Sequence, residues 1–320
     1  MIRAAYLAAE GFEQPLLEEL TRHGIAISAW HGRLALSPDL PARAARAAWA
    51  LETWTAPSEH DAVSVKGVAG ILRAIQRNWA AYPVTHHRRM ALITAQLPPV
   101  RARELVFPEA APASHLGAWT LLDQDRLLLS PTTTSAVPGG EWRFIEDHIG
   151  PPSRAYLKLW EALTRLGVWP QPGERCIDLG AAPGGWTWVL AQLGATVLAV
   201  DKAALDPRVL ACAGVTAVAE SAFAMAPQPA EWLFSDVIAY PARLLELVRR
   251  WIEAGCVQRI ICTVKFQGET DHVSADAFAA IPGGDLMHLS HNKHELTFIW
   301  ASPTLPLPAG APPAGGRPAG

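Results

Sequence analysis

The chain has 320 residues, half of them hydrophobic and 18 % charged, with a formal net charge of −3. This excludes long disorder and implies a folded soluble protein of two ordinary domains. No apolar run reaches the roughly 18 residues needed to cross a bilayer, and the near-neutral charge means that any nucleic-acid contact must come from a local basic face.

The N-terminus reaches Glu10, Glu13, Glu18 and Glu19 too soon for a secretory signal, so a cytoplasmic protein is expected. Residues 1–82 read as a small α+β module. Tyr6-Leu7-Ala8 is a short strand and Phe12 to His23 an amphipathic helix. Ile25 to Trp30 and Arg33 to Leu36 pair as a hairpin around His31-Gly32, and Pro41 to Trp54 reads as an Ala- and Arg-rich helix. Residues 83–140 form a second α+β segment with strand pairs at Met90 to Ala95 and Trp119 to Leu129. It ends in the Thr/Ser/Pro/Gly linker Pro131 to Gly140, where the domain boundary is placed.

Residues 141–302 read as an α/β domain, Rossmann-like, with short apolar strands alternating with helices. Strands are expected at Arg175 to Asp178, Thr196 to Val200, Val215 to Ala219, Trp232 to Phe234 and Arg259 to Val264. Helices are expected at Trp186 to Leu193 and Leu244 to Ile252. Asp285 to Leu289 and Leu296 to Trp300 are joined too tightly for a parallel crossover. The mostly parallel sheet should therefore end in an antiparallel hairpin. Residues 303–320 are almost all Pro, Gly, Ala and Leu and read as a disordered tail.

The densest chemical feature is Asp178-Leu179-Gly180-Ala181-Ala182-Pro183-Gly184-Gly185-Trp186-Thr187, a strand, a glycine-rich turn and a helix start. Glycines permit close backbone approach and positive φ, and a helix N-terminus offers free N–H groups. A carboxylate or a pyrophosphate could lie there. The G-x-G-x-x-G dinucleotide fingerprint is missing, which argues against a nicotinamide oxidoreductase. Asp201 ends the next strand, where a carboxylate can accept ribose hydroxyls. Asp236 and Lys265 each follow a strand, at the carboxyl edge where open parallel sheets place their sites. Lys158 and Glu295 are further candidates. The four cysteines, Cys176, Cys212, Cys256 and Cys262, form no C-x-x-C pair and no zinc spacing; they read as reduced core thiols, with no metal site.

Four ordered motifs carry a resemblance: S-R-A-x-x-K-L at 153–159, D-L-G-A-x-P-G-G-W at 178–186, S-D-V at 235–237, and V-K-F at 264–266 with H-E-L-T at 294–297. Together they resemble the FtsJ-type ribose 2′-O-methyltransferases. The resemblance implies S-adenosylmethionine as cofactor and RNA as substrate, 23S rRNA or its precursor, acted on by a monomer. It also implies a tetrad of Lys158, Asp236, Lys265 and Glu295. The cofactor would be held by Asp178, Gly180, Ala181, Pro183, Gly184, Gly185, Trp186, Asp201 and Asp236. In the adenine pocket, Glu220 and Ser221 stand where the family has an acidic segment.

Lys265 would act either as the general base on the ribose hydroxyl or as a cation stabilising the developing oxyanion. Asp236 does not lead into the Asn/Asp-Pro-Pro-aromatic tetrapeptide of base N-methylation, and no cysteine is placed for C5 methylation. RNA contacts are expected from Arg154 and from Thr85-His86-His87-Arg88-Arg89, with Arg101 and Arg103, and residues 83–140 would be a reduced THUMP-like RNA-binding region. The alternative reading is a non-catalytic RNA-binding or ribosome-assembly factor that keeps the methyltransferase fold.

Overall fold

Residues 1–39, 47–100 and 103–303 are described in the computed structural model of the chain. Arg101, residues 41–46 of the helix expected from Pro41 to Trp54, and the tail from 304 onward lie outside them. The chain divides into two units. The first comprises Met1–Leu105, Pro112–Ile145 and Met287–Leu296; the second comprises Val106–Ala111, Glu146–Leu286 and the chain from Thr297 onward.

The first unit contains two four-stranded sheets. One is ordered β2-β3-β1-β4, from β1 (Ala4–Ala8), β2 (Ala29–His31), β3 (Leu34–Ser37) and β4 (Ala50–Trp54), with helix α1 (Glu13–Arg22) following β1. Every residue of β1 is buried, as its central place between antiparallel β3 and β4 requires. The β2–β3 hairpin turns at Gly32, with φ +60°; a Cβ there would lie 2.9 Å from the Tyr82 hydroxyl oxygen. The stretch from Ala50 to Trp54 is a strand, not the expected helix. Alanine favours a helix locally, but Glu52, Thr53 and Trp54 are all buried, β4 pairs with β1, and the Thr53 backbone bonds Thr134 on its other side.

The other sheet is ordered β5-β8-β7-β6, from β5 (Ser58–Asp61), β6 (Trp79–Ala81), β7 (Gly117–Leu121) and β8 (Arg126–Ser130). Helices α2 (Val65–Ile75) and α3 (His87–Thr94) supply its core partners. Ser64 caps α2 by accepting from the Gly67 N–H. The expected strand from Met90 is helical instead. Met90 and Ile93, three residues apart, are buried with Val68, Leu72, Trp119 and Leu127, while Leu92 is exposed. That is helical spacing.

The second unit runs α4 (Tyr156–Leu166), β9 (Arg175–Leu179), α5 (Gly185–Gln192), β10 (Thr196–Asp201), α6 (Pro207–Leu210), β11 (Val215–Ala219) and β12 (Ala230–Ser235). It continues through α7 (Pro241–Glu253), β13 (Val257–Lys265), α8 (His272–Ala279), β14 (Gly284–Met287) and β15 (Glu295–Ala301). The sheet order is β11-β10-β9-β12-β13-β15-β14. The pairings from β11 through β10, β9 and β12 to β13 are all parallel. Only residues 288–294 join β14 to β15, too few for a parallel crossover, so the sheet closes with a hairpin as the sequence implies. The fold is Rossmann-like.

From β9 the chain builds outward to β10 and β11, then returns to place β12 on the opposite side of β9. That reversal opens a crevice at the carboxyl ends of β9 and β12, where ligands of open α/β sheets bind. β13 fixes the far wall, and Ile260, Ile261, Cys262, Thr263 and Val264 within it are fully buried. Ile261→Ala should cost about 2–5 kcal/mol. Urea titration should show a lower midpoint with an unchanged slope; an unmoved midpoint would mean that the strand is not held by this packing.

Candidate active site

β9 delivers Asp178 and then turns through Gly180, which has φ +79°. A Cβ on Gly180 would lie 2.8 Å from the Val237 Cα, so only glycine lets the turn meet the loop after β12. α5 begins at Gly185, where a Cβ would lie 2.6 Å from the Ser153 hydroxyl oxygen. The first N–H groups of α5 have no partner within the helix. Around this turn lies a cavity of 330 Å³, lined by Asp178, Gly180, Ala181, Pro183, Gly185 and Trp186 from the motif and by Asp201, Asp236 and Lys265 from the strand ends.

Side chains hold the turn from both sides. One Asp201 carboxylate oxygen accepts from the Ala182 N–H at 3.0 Å, and the other from the Ala203 N–H at 2.9 Å. The Ser235 hydroxyl donates to the Leu179 carbonyl at 2.9 Å, tying β12 to β9. The Trp186 indole N–H donates to the Ala155 carbonyl at 2.9 Å, linking α5 to the segment that leads into α4.

Asp178 is buried. The Thr187 hydroxyl donates to its Oδ2 at 2.7 Å, whereas its Oδ1 has no hydrogen-bond partner among the described residues. Burial pushes its pKa up to about 7, against the lowering effect of Thr187, and the nearby Asp236 charge adds to the rise. A cation entering this cavity would meet an acceptor already in place.

Three of the four tetrad residues belong to the second unit, and they touch. Lys158 Nζ lies 2.8 Å from Asp236 Oδ1 and 3.0 Å from Oδ2; Lys265 Nζ lies 3.0 Å from Oδ1 and also donates to the Asp236 carbonyl. Lys158 projects from a helix buried from Tyr156 to Thr164 and is itself buried. An ammonium there is tolerable only with a charged partner. Glu295 begins β15 and is buried; its Oε1 accepts from the Lys293 N–H at 3.4 Å. It falls in the first unit with the loop that precedes it. There the His288 N–H donates to the Ala48 carbonyl, and the His288 and His294 rings pack with Phe12 and Trp49.

Glu220 and Ser221 follow β11 and are not among the residues lining the cavity. Gly184 is likewise not among them; a Cβ there would lie 3.0 Å from Val209. Arg154 is exposed and paired with Glu146 at 2.7 Å. His86 precedes α3 with φ +52° and lies 3.9 Å from Asp123, while His87 and Arg88 are exposed. Arg89 is half-buried and gives its guanidinium to the Ala62 carbonyl. Thr85 donates to the Leu121 carbonyl at 3.4 Å. All four cysteines are free, and burial raises the pKa of Cys176 and Cys262.

Ser153, Ala155, Ala182, Val237 and Ile238 complete the cavity wall, and Thr187 braces Asp178; none of these stands out as a site residue in the sequence. Ser153, Ala155, Ala182 and Val237 stand inside the quoted motifs with no local sign of their role, and Ile238 and Thr187 adjoin them.

A cavity of 330 Å³ thus lies at the switch point of a Rossmann-like sheet, with a lysine-carboxylate-lysine group at its edge. Residues 151–275 match the family model described as FtsJ-like methyltransferase; the match takes in the motifs at 153–159, 178–186, 235–237 and 264–266, whereas H-E-L-T at 294–297 lies beyond it. A protein named ribosomal RNA large subunit methyltransferase M from Halorhodospira halophila is 36 % identical over 155 residues, 46 % of this chain and 46 % of that protein. A protein of the same name from Aromatoleum aromaticum is 42 % identical over 162 residues, 45 % of this chain and 44 % of that one. The match therefore spans just under half of each relative.

The raised Asp178 pKa has a consequence for stability. In the unfolded chain this group ionises near pH 4; in the folded protein it ionises near pH 7. Between these values the unfolded state releases the proton first, so stability falls as pH rises, by a total on the order of 4 kcal/mol. Glu52 in β4 is also raised to about 7 by burial, so wild type must be compared with Asp178→Asn. Urea midpoints from pH 5 to pH 8 should fall less steeply in the variant. Parallel curves would refute the shift.

Proposed function

We propose that this chain transfers a methyl group from S-adenosylmethionine to a ribose 2′-hydroxyl of RNA, with 23S rRNA or its precursor as the substrate. One observation carries the reading: Asp236 holds both Lys158 and Lys265 at the edge of the glycine-turn cavity. The FtsJ-like match and the names of the relatives support the reaction class and the RNA.

The residues fit the cofactor. Asp178 Oδ1, without a hydrogen-bond partner among the described residues, suits its ammonium, the start of α5, whose first N–H groups the helix itself does not pair, suits its carboxylate, and Asp201 keeps lone pairs for ribose hydroxyls. When bound, the cofactor supplies an electrophilic methyl on a sulfonium. The chain must then present the hydroxyl in line and manage its proton.

Lys265 is the group for that proton, or for the charge that develops as it leaves. Its Nζ already lies within reach of Asp236, which fixes its direction. Lys158 occupies the other side of the same carboxylate, so Asp236 spreads its charge over two cations and neither lysine can swing away freely. Glu295 completes the tetrad by motif. Much of the acceleration is positional, since oriented reactants save several kcal/mol of the barrier. RNA contacts are assigned to Arg154, His86, His87 and Arg88, with residues 83–140 as the RNA-binding region. Arg89 enters this group only by exchanging Ala62 for a phosphate. No described helix is long and apolar enough to cross a membrane.

Mass mapping of unmodified rRNA incubated with the protein and S-adenosylmethionine should locate one ribose methyl. Lys265→Ala should lower kcat roughly 10²- to 10⁴-fold, while calorimetry shows cofactor affinity close to wild type and no binding of NAD. Equal methyl incorporation by both proteins would remove Lys265 from the chemistry. Absence of incorporation by wild type on any RNA would leave a binding factor.

A further inference from the structure

The segment from Asp236 to Pro241 links β12 to α7 along the rim of the cavity. Both of its ends are fixed. Val237 is pinned by its close approach to Gly180. Pro241 is the first residue of α7, which is anchored by buried Leu244, Val248 and Trp251. A residue before proline is driven into the extended region, and Tyr240 sits there, with φ −64° and ψ 140°.

Burial then alternates along the segment. Ala239 is buried, whereas Ile238 and Tyr240 are 76 % and 67 % exposed. In extended backbone, residues two apart share a side. Asp236, Val237 and Ile238 line the cavity, and exposed Tyr240 follows Ile238 by two residues. Two large apolar side chains are thus held in water, on a braced loop, directly beyond the carboxylate that orients both lysines. Neither packs in the core, and the hydrophobic effect favours covering them.

We infer that Ile238 and Tyr240 form a lip that contacts the base of the nucleotide being methylated, with Tyr240 as the stacking surface. The inference rests on the reaction proposed above and adds a substrate-positioning element to it. A ribose delivered to Lys265 brings its base within one nucleotide's reach, and an aromatic ring offers that base a flat apolar partner. Stacking is tolerant of base identity, so the lip positions the nucleotide without choosing it. Rigidity of the lip is part of its action, because a mobile platform would lose much of the binding energy in ordering.

The test uses the full-length protein and an rRNA fragment containing the nucleotide located by mass mapping. Tyr240→Ala should raise KM for the fragment by about 5- to 150-fold, with kcat little changed, the unfolding midpoint unmoved and S-adenosylmethionine affinity unchanged. Tyr240→Phe should restore KM, and Ile238→Ala should give a smaller rise. On the same fragment with an abasic ribose at the target, wild type and Tyr240→Ala should be equal, because no base remains to stack. An unchanged KM in Tyr240→Ala overturns the inference. An equal loss on base-bearing and abasic fragments also overturns it, since the role would then be structural. Wild type that methylates no RNA defeats the underlying reaction, and the lip with it.

Discussion

The site depends on one carboxylate, Asp236, held between two ammonium groups at 2.8 and 3.0 Å. Two lysines this close would repel each other and carry a heavy desolvation cost if left alone. The carboxylate offsets both costs only because the fold fixes its position. Ser235 pairs with Cys262 in parallel register, so Asp236 leaves β12 beside the last turnless stretch of β13, which ends at Lys265. Lys158 comes from outside the sheet, on a helix too buried to let its ammonium escape to water. The charge group is therefore a consequence of sheet order and helix burial.

The glycine turn stands in the same dependence. Its conformation is not set by glycine alone. Asp201 grips the Ala182 amide, Ser235 ties Leu179 to β12, and the absent Cβ of Gly180 lets Val237 close on the turn. These ties connect β9, β10 and β12, the three strands that border the crevice. Because Val237 adjoins Asp236, any movement of the cofactor-side turn would reach the carboxylate that orients the lysines. Such a rigid polar frame is what stabilises developing charge without reorganisation during reaction.

Much of the second unit was legible in the sequence, because βαβ units have sharp strand and helix periods and the motifs fall at their junctions. Lys158, Asp236 and Lys265 could be named because each sits at a fixed place in a short motif. The roles of their neighbours in and beside the same motifs are not legible there. Thr187, Ser235 and Val237 matter through tertiary contacts that leave no local pattern. The unpaired oxygen of Asp178 is a property of its surroundings, not of its position in the motif. The first unit was less legible for a different reason. Met90-Ala91-Leu92-Ile93 is apolar at every position, so neither a period of 2 nor one of 3.6 stands out, and packing decides for the helix. Over Ala50 to Trp54 alanine propensity yields to pairing with β1. Arg89 reads as a surface cation in sequence, yet its guanidinium is committed to Ala62.

The same commitment governs the charge of the whole molecule. With a net charge of −3, the chain has no strong field to draw in a polyanion. Many of its arginines are already answered: Arg154 by Glu146, Arg126 by Glu59, Arg208 by Asp206 and Arg33 by Glu141. Exposed pairs of this kind are worth only about 0–1 kcal/mol. A phosphate can therefore replace the carboxylate at little cost, but it also gains little. Binding of an RNA would then rest less on counterion release than it does for a basic protein, and its salt dependence would be shallow. Such a protein has to obtain its hold on the substrate from contacts that salt does not screen. If the lip proposed above meets the target base, Ile238 and Tyr240 would be contacts of that kind, and exposed Ile238 in the cavity lining would bring that hold close to Asp236.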